Sequence, residues 1–258
     1  MHNVTVRNIV IGDGLPKIIV PIVAKTKPAL MQEVNIVREM KPDIIEWRVD
    51  AFEHVEDLIC VQDTLVEIRK AIGDIPLLFT FRSYLEGGKK QISARYYQEL
   101  NQRIIQSKLV DLIDVELNTT DDILEDLVTK AKENDVCIIM SHHDFEKTPT
   151  KAEMISTLCT MQDKGADILK MAVMPSNEAD VVTLLDATNT MKTEYANRPL
   201  ITMSMSGKGV ISRLAGELIG SAATFASGVD ASAPGQIDIR AMRSIIQLLH
   251  QNIASIDE

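Results

Sequence analysis

Lys170 stands in the middle of an apolar, strand-like run, Ile168-Leu169-Lys170-Met171-Ala172-Val173-Met174. A lysine flanked in this way points into a largely buried space, where loss of water disfavours its charged form. Charged side chains are seldom buried without a partner or a task. A lysine that is neutral part of the time is a nucleophile, and its usual work is a Schiff base with a carbonyl compound. The plainer reading is a structural lysine paired to a carboxylate.

Other ionisable residues cluster in short β-rich runs. Glu46, Arg48 and Asp50 alternate with Trp47 and Val49, so the two-residue period puts the three charges on one face and Trp47 on the other. Asp114 and Glu116 share a face in the same way and are candidate partners for Arg48 or Lys170. Ser141-His142-His143-Asp144 offers two imidazoles. Adjacent strand side chains point opposite ways, so at most one of them faces a common pocket, where a histidine near a buried lysine suits general base work. The period alone does not choose between them.

Three loops add to the set. Phe81-Arg82-Ser83 runs into Tyr84-Leu85-Glu86-Gly87-Gly88, whose paired glycines permit a mobile loop that swings Glu86 over a site; alone, Glu86 reads as an exposed loop residue. Met203-Ser204-Met205-Ser206-Gly207-Lys208-Gly209 leads to Arg213. This is not a P-loop, but a glycine turn opening a helix supplies backbone donors for an anion, with Arg213 nearby; alone, Arg213 reads as a solvated helix residue. Ser232-Ala233-Pro234-Gly235-Gln236 is turn-rich and suits either a lid or ordinary punctuation.

The elements that must position these residues follow a regular rhythm. Strand-like runs occur at Ile18 to Ala24, Ile44 to Asp50, Pro76 to Ser83, Leu112 to Leu117, Val136 to His143, Ile168 to Met174, Leu200 to Met205 and Ser221 to Phe225. Helical periodicity fills the gaps, for example from Thr119 to Asn134, with Thr119 or Thr120 as N-cap and Asp121 and Asp122 in the first turn. Eight such units predict a (β/α)8 TIM barrel, in which chemistry collects at the C-terminal strand ends. No Gly-rich dinucleotide fingerprint follows any strand, which argues against an open doubly wound sheet. Before the series, Val4 to Val6 and Ile9 to Ile11 read as a hairpin turning at Gly12-Asp13-Gly14, a cover for the N-terminal end of the barrel.

Composition bounds the function. The 258 residues, with no linker or composition break, read as one catalytic domain spanning 1–258. A net charge of -10 without a basic cluster argues against nucleic acid and anionic membranes as partners. The apolar runs are too short to cross a bilayer and the N-terminus lacks a signal-peptide layout, so the chain reads as soluble. Cys60, Cys137 and Cys159 show neither metal-site nor disulfide spacing, which suggests reduced thiols in a cytoplasmic protein.

Five segments taken together carry a resemblance. Ile45-Glu46-Trp47-Arg48-Val49-Asp50, Ser141-His142-His143-Asp144-Phe145, Ile168-Leu169-Lys170, Val210-Ile211-Ser212-Arg213 and Ser232-Ala233-Pro234-Gly235-Gln236 closely resemble, in order and over essentially the whole chain, the type I 3-dehydroquinate dehydratase family. The resemblance implies a shikimate-pathway lyase that takes a small anionic substrate, 3-dehydroquinate, to 3-dehydroshikimate through a Schiff base. It implies no metal or organic cofactor, and a homodimer. Lys170 matches the imine-forming lysine, His143 the proton-transfer histidine and Glu86 the carboxylate that orients it. Arg213 matches the clamp on the substrate carboxylate. Glu46, Arg48 and Arg82 match residues that hold its hydroxyl groups and the site's charge; Ser232 and Gln236 match a closing lid, and Met203 and Met205 apolar wall positions. The rival readings are a class I aldolase on the same fold, a metal-dependent barrel hydrolase using His142 or His143 with Asp50 or Glu116, and a non-catalytic binding barrel.

Overall fold

The computed structural model describes residues 2–229, 233 and 235–254. The chain opens with β1 (Val4–Val6) and β2 (Ile9–Ile11), an antiparallel hairpin. Its turn lies at Arg7 and Asn8, with Arg7 at φ +50°, and not at Gly12-Asp13-Gly14. A two-residue connection needs positive φ to match the strand twist, and Arg7 supplies it. Gly12 and Gly14, at φ +102° and +64°, instead carry the chain from the hairpin towards the barrel.

The next eight strands are β3 (Lys17–Ile22), β4 (Ile44–Arg48), β5 (Leu77–Thr80), β6 (Leu112–Glu116), β7 (Cys137–Asp144), β8 (Ile168–Val173), β9 (Leu200–Ser204) and β10 (Ala223–Phe225). They are parallel, in the order β10-β3-β4-β5-β6-β7-β8-β9, and a Leu200–Ser221 bridge closes the ring. All the strand runs read from the sequence are present. The second ends at Arg48, because Val49–Ala51 turns as a 3-10 segment.

Helices α1 (Lys27–Glu39), α2 (Leu58–Ile72), α3 (Ala94–Ser107), α4 (Asp121–Glu133), α5 (Lys151–Asp163) and α6 (Glu178–Thr190) alternate with the strands. The short α7 (Val210–Leu214) and α8 (Gly216–Ile219) follow β9, and α9 (Ile239–Ala254) follows β10. Their starts are written locally. Thr150 with Glu153 and Asn177 with Asp180 form capping boxes, and Thr120 is the N-cap of α4. None of the helices, within the described residues, is long and apolar enough to cross a membrane.

The two-residue strand period sorts side chains into two cores. Trp47, Phe79, Ile113 and Met140 face outward, into the shell beneath the helices. Ile19, Ile44, Leu78, Leu112, Ile139, Ile168 and Ile201 fill the base of the barrel, and Val4, Val6 and Ile11 of the hairpin pack beneath them. Each fully buried side chain of this kind contributes about 1.5–3 kcal/mol relative to exposure. Arg7 pins the hairpin to the barrel by an ion pair with Asp111 at 2.6 Å. Two residues further along each strand, the same inward face carries Glu46, Thr80, Asp114, Ser141 and Lys170. The apolar base thus supports a buried polar layer.

Candidate active site

Asp114 is the centre of that layer. Its Oδ2 lies 2.9 Å from Lys170 Nζ, its Oδ1 lies 2.7 Å from Arg82, and the Ser141 hydroxyl donates to Oδ1 at 2.7 Å. Burial alone would raise the Asp114 carboxyl. Arg82, Lys170 and the Ser141 hydroxyl outweigh that and hold it down to about 2. Lys170 is 4% exposed, with its Nζ 4.6 Å from the centroid of the Phe225 ring. Of the two partners considered for Lys170, Asp114 is the one it bonds; Glu116, which the strand register sets level with Lys170, is bound by Arg82 instead. Arg48 instead grips Asp50 with two bonds of 2.8 and 3.0 Å. Asp50 also accepts from the backbone amides of Arg82 and Lys89, so it anchors the loop after β5.

Arg82 binds Glu116 at 2.8 Å, the Ser141 hydroxyl at 3.0 Å and Glu86 at 3.4 Å, besides Asp114. Burial opposes its charge, but Asp114, Glu116 and Glu86 together more than offset this and raise its pKa. The guanidinium is therefore committed to holding three strand groups and the loop carboxylate of Glu86 in place. Glu46, also buried, accepts from the Thr80 hydroxyl at 2.8 Å.

Glu86 departs from its reading as an exposed loop residue. It is 3% exposed and lies 2.9 Å from His143 Nδ1. The paired glycines explain this. A Cβ on Gly88 would fall 1.8 Å from the Arg82 carbonyl oxygen, and one on Gly87, at φ +85°, would fall 2.3 Å from the Phe145 ring. They serve close packing that folds the turn down onto the strand ends, not a free hinge. Burial pushes the Glu86 carboxyl up; Arg82 opposes, Glu116 and Asp114 reinforce, and the result is about 8. Burial, together with Arg82, Lys170 and Arg48, holds His143 well below the usual histidine range, so its imidazole is neutral. Phe145 stacks on that imidazole at 6.5 Å between centroids.

His142 does not simply pack outside. It is half-buried, and its Nδ1 stands 3.8 Å from Glu86 Oε1, while His143 holds Oε2. The carboxylate reaches over the strand end from the neighbouring loop and meets both rings.

Arg213 also departs from its solvated reading, being 1% exposed. The Ser212 hydroxyl donates to the Gly209 carbonyl at 2.7 Å and accepts from the Ser204 amide at 2.9 Å. This folds α7 back across β9, and Arg213 donates to the Met203 sulfur at 3.6 Å. Burial lowers Arg213 to about 10, so it remains a cation. The glycine turn itself does not line the cavity, since Gly209 packs against the Ser204 carbonyl and Lys208 binds the Ser176 carbonyl. Of this segment, the Arg213 side chain is the part that lines the cleft.

These groups border one open cleft at the C-terminal end of the barrel. Its lining includes Glu46, Arg48, Arg82, Glu86, His143, Lys170, Met203, Met205, Arg213 and Gln236. Ser232 lies outside the described residues. Sequence reasoning missed Phe145 and Phe225, which also line the cleft. Phe225 was findable, because the period of β10 puts it on the inward face with Ala223. Among the described residues, no group of three or more His, Cys, Asp or Glu side chains is arranged to hold a metal ion. The arrangement of His142 or His143 with Asp50 or Glu116 that a hydrolase would need does not form.

A buried amine set beside a neutral imidazole and a buried arginine can, once deprotonated, form an imine with a keto acid, move a proton next to it, and hold the carboxylate. The type I 3-dehydroquinase family profile matches residues 18–253. The 3-dehydroquinate dehydratase of Bacillus velezensis is 53% identical over 253 residues, 98% of this chain and 100% of that protein. A crystal structure of type I 3-dehydroquinate dehydratase from Clostridium difficile, with covalently modified comenic acid, is 53% identical. It covers 97% of this chain and 99% of its own, with a TM-score of 0.95. The 3-dehydroquinate dehydratase structure from Geobacillus kaustophilus is 39% identical over 97% of each chain, with a TM-score of 0.94. The chain belongs to the type I 3-dehydroquinase family.

Proposed function

We propose that this protein dehydrates 3-dehydroquinate to 3-dehydroshikimate through an imine on Lys170, with His143 as general acid and base. The observation that carries the reading is the position of Lys170, which is buried, paired to Asp114 and open to the same cleft as His143 and Arg213. The C. difficile relative, solved with covalently modified comenic acid, is consistent with a nucleophile in this family.

The proton to be removed lies next to a ketone, and a ketone is a modest electron sink. Lys170 adds to the carbonyl carbon and water leaves, giving a protonated imine that makes the adjacent carbon far more acidic. His143, kept neutral by its surroundings, takes that proton at Nε2. Ionised Glu86 accepts from Nδ1–H and so leaves Nε2 free. The resulting enamine expels the β-hydroxyl, which takes the proton back from His143 and departs as water. A second water, deprotonated by His143, hydrolyses the imine and frees Lys170. Arg213 matches the substrate carboxylate with a planar pair of donors. Glu46 and Arg48 meet its hydroxyl groups, Arg82 holds the site's charges in order, and Met203 and Met205 form the apolar wall. Ser232 and Gln236 close over the bound molecule. The positive groups in the cleft draw in an anion despite the net charge of -10. The three cysteines without disulfide or metal-site spacing support a place in the cytoplasm, and the family resemblance supports a homodimer of one-domain subunits. A sedimentation mass equal to one subunit would overturn the dimer.

Incubation with 3-dehydroquinate and borohydride, followed by peptide mass spectrometry, tests the reaction. A reduced adduct on the Lys170 peptide is expected. No adduct, with 3-dehydroquinate left unconsumed in a parallel sample without borohydride, would remove the dehydratase reading and bring forward an aldolase or binding role.

A further inference from the structure

The two oxygens of Glu86 face different surroundings. Oε2 is turned into the cleft, 2.9 Å from His143 Nδ1, and accepts from the His143 amide at 3.2 Å. Oε1 is turned the other way, where Asn118 Nδ2 donates at 2.9 Å. Asn118 Nδ2 also stands 3.3 Å from His142 Nδ1. Beyond Oε1 lies a second cavity, lined by Phe81, Ser83, Tyr97, Glu116 and Asn118 as well as Glu86. The carboxylate thus forms a wall between two spaces, held by a histidine on one side and by an exposed loop asparagine on the other.

The charges around Glu86 come from three elements. Arg82, from its own segment, is 3.4 Å away. Asp114 and Glu116 of β6 repel it, and His142 and His143 of β7 flank it. Arg82 is shared with both β6 carboxylates, so it favours the ionised Glu86 less than an undivided partner would. A neutral amide donor at Oε1 adds to Arg82 without competing for it.

We propose that Asn118 is a positioning residue for catalysis: its amide holds Glu86 as the acceptor of the His143 Nδ1 proton, and so selects the tautomer in which Nε2 is the base. The inference rests on the base role proposed for His143. A protonated Glu86 would instead donate to Nδ1, and the ring proton would then sit on Nε2, where no proton can be accepted. Asn118 acts through Glu86 and does not border the substrate cleft. Its side chain bridges Glu86 and His142, so His142 is the second outer partner of the carboxylate. The Asn118 bond also lowers the Glu86 pKa, against the burial that raises it.

The test compares Asn118→Ala and Asn118→Asp with the wild type. Asn118 is exposed, so neither change removes core volume. Carbon-13 NMR of the Glu86 carboxyl, identified by its absence in Glu86→Gln, is followed against pH without substrate. The titration midpoint is expected to rise by about one unit in Asn118→Ala, the loss of one hydrogen bond to a charged group. It should rise further in Asn118→Asp, which keeps the shape, loses the donor and adds a negative charge. An unshifted midpoint in both variants overturns the proposal, whatever the substrate. In turnover of 3-dehydroquinate near pH 7, kcat of Asn118→Ala should fall about tenfold with KM within about twofold, and recover as pH rises. An equal fall at every pH would mean a merely structural effect and would also overturn it. A wild type without turnover would remove the dehydratase reading, and the NMR titration would still decide whether Asn118 governs Glu86.

Discussion

Asp114 and Lys170 are paired at 2.9 Å on the floor of the cleft, although they lie on strands separated by β7. Ser141 of the intervening strand bonds Asp114 as well, so the pair is held from three strands. Because Asp114 is held down to about 2, it stays ionised across the working range and cannot take the proton that Lys170 would lose before attack in the proposed mechanism. In the proposed mechanism its role is that of a fixed counter-ion for the protonated imine. Asp114→Asn is expected to lower kcat by about 100-fold, the scale for removing one preorganised electrostatic contact. Borohydride trapping in this variant should be correspondingly slow. Trapping at the wild-type rate would show that the imine does not depend on the counter-ion.

Asp114 also links stability to acid. A carboxyl depressed in the folded state contributes stability above its unfolded pKa and loses it as pH falls through the folded value. For Asp114 that window runs from about pH 4 down to about pH 2. Chemical denaturation of the wild type should therefore weaken steeply there. Asp114→Asn should show a flatter profile over the same range, and parallel profiles would count against the ion-pair assignment.

Glu86 carries the opposite sign. Its folded pKa is raised, so the stability it allows is complete below the unfolded value near 4.5 and is lost as pH rises through about 8. Glu86→Gln should thus be more stable than the wild type at pH 9 and lose that advantage towards pH 4. In the proposed mechanism the same titration governs the rate, since only ionised Glu86 leaves Nε2 of His143 free as the base. The acid limb of kcat/KM is expected well above the ordinary carboxylate range, towards pH 8, and absent in Glu86→Gln, whose residual rate should be low and flat. An acid limb kept in that variant would assign it to another group.

Much of this site was legible in strand periodicity, and the rest was hidden in loops. Alternation put Glu46, Arg48, Asp114 and Lys170 on inward faces because strand side chains obey a strict two-residue period. It did not say which carboxylate meets which cation. Strand register sets Lys170 level with Glu116, yet Arg82 binds Glu116 and Lys170 reaches Asp114, while Asp50, two residues on and already past the strand, takes Arg48. Glu86 before Gly87-Gly88 has the local signature of a solvent-facing turn. What buries it is the contact of Gly88 with the Arg82 carbonyl, which no local pattern encodes. Arg213 was hidden in the same way, because the fold of α7 depends on Ser212 bonding back to β9. The family resemblance named both residues where periodicity could not.

Gly87 tests that packing. It is left-handed at φ +85°, and a methyl group there would meet the Phe145 ring that stacks on His143. Gly87→Ala therefore has to strain the backbone by about 1 kcal/mol or more and displace either Phe145 or Glu86. The expected result is a loss of kcat of at least about tenfold with the adduct on Lys170 still forming, because the base is disturbed and the nucleophile is not. Unchanged kcat would mean that Phe145 moves away without consequence for His143.

Trp47 gives a prediction about stability alone. It follows Glu46 in β4 and so faces away from the cleft, fully buried between Phe52 and Phe79 at centroid distances of 5.9 and 5.6 Å. Its Nε1 has no hydrogen-bond partner among the described residues. A buried donor left without an acceptor costs about 1–3 kcal/mol. Trp47→Phe removes that donor while leaving a smaller ring in the same aromatic cluster, so the lost packing is largely offset. Its expected destabilisation in urea is under about 1.5 kcal/mol, against about 3–5 kcal/mol for Trp47→Ala. Since Glu46 and Arg48 keep their inward faces, kcat of Trp47→Phe should stay within about twofold of wild type. A loss as large as that of the alanine variant would mean that the Nε1–H is satisfied, by a bound water, and that its removal deletes a real bond.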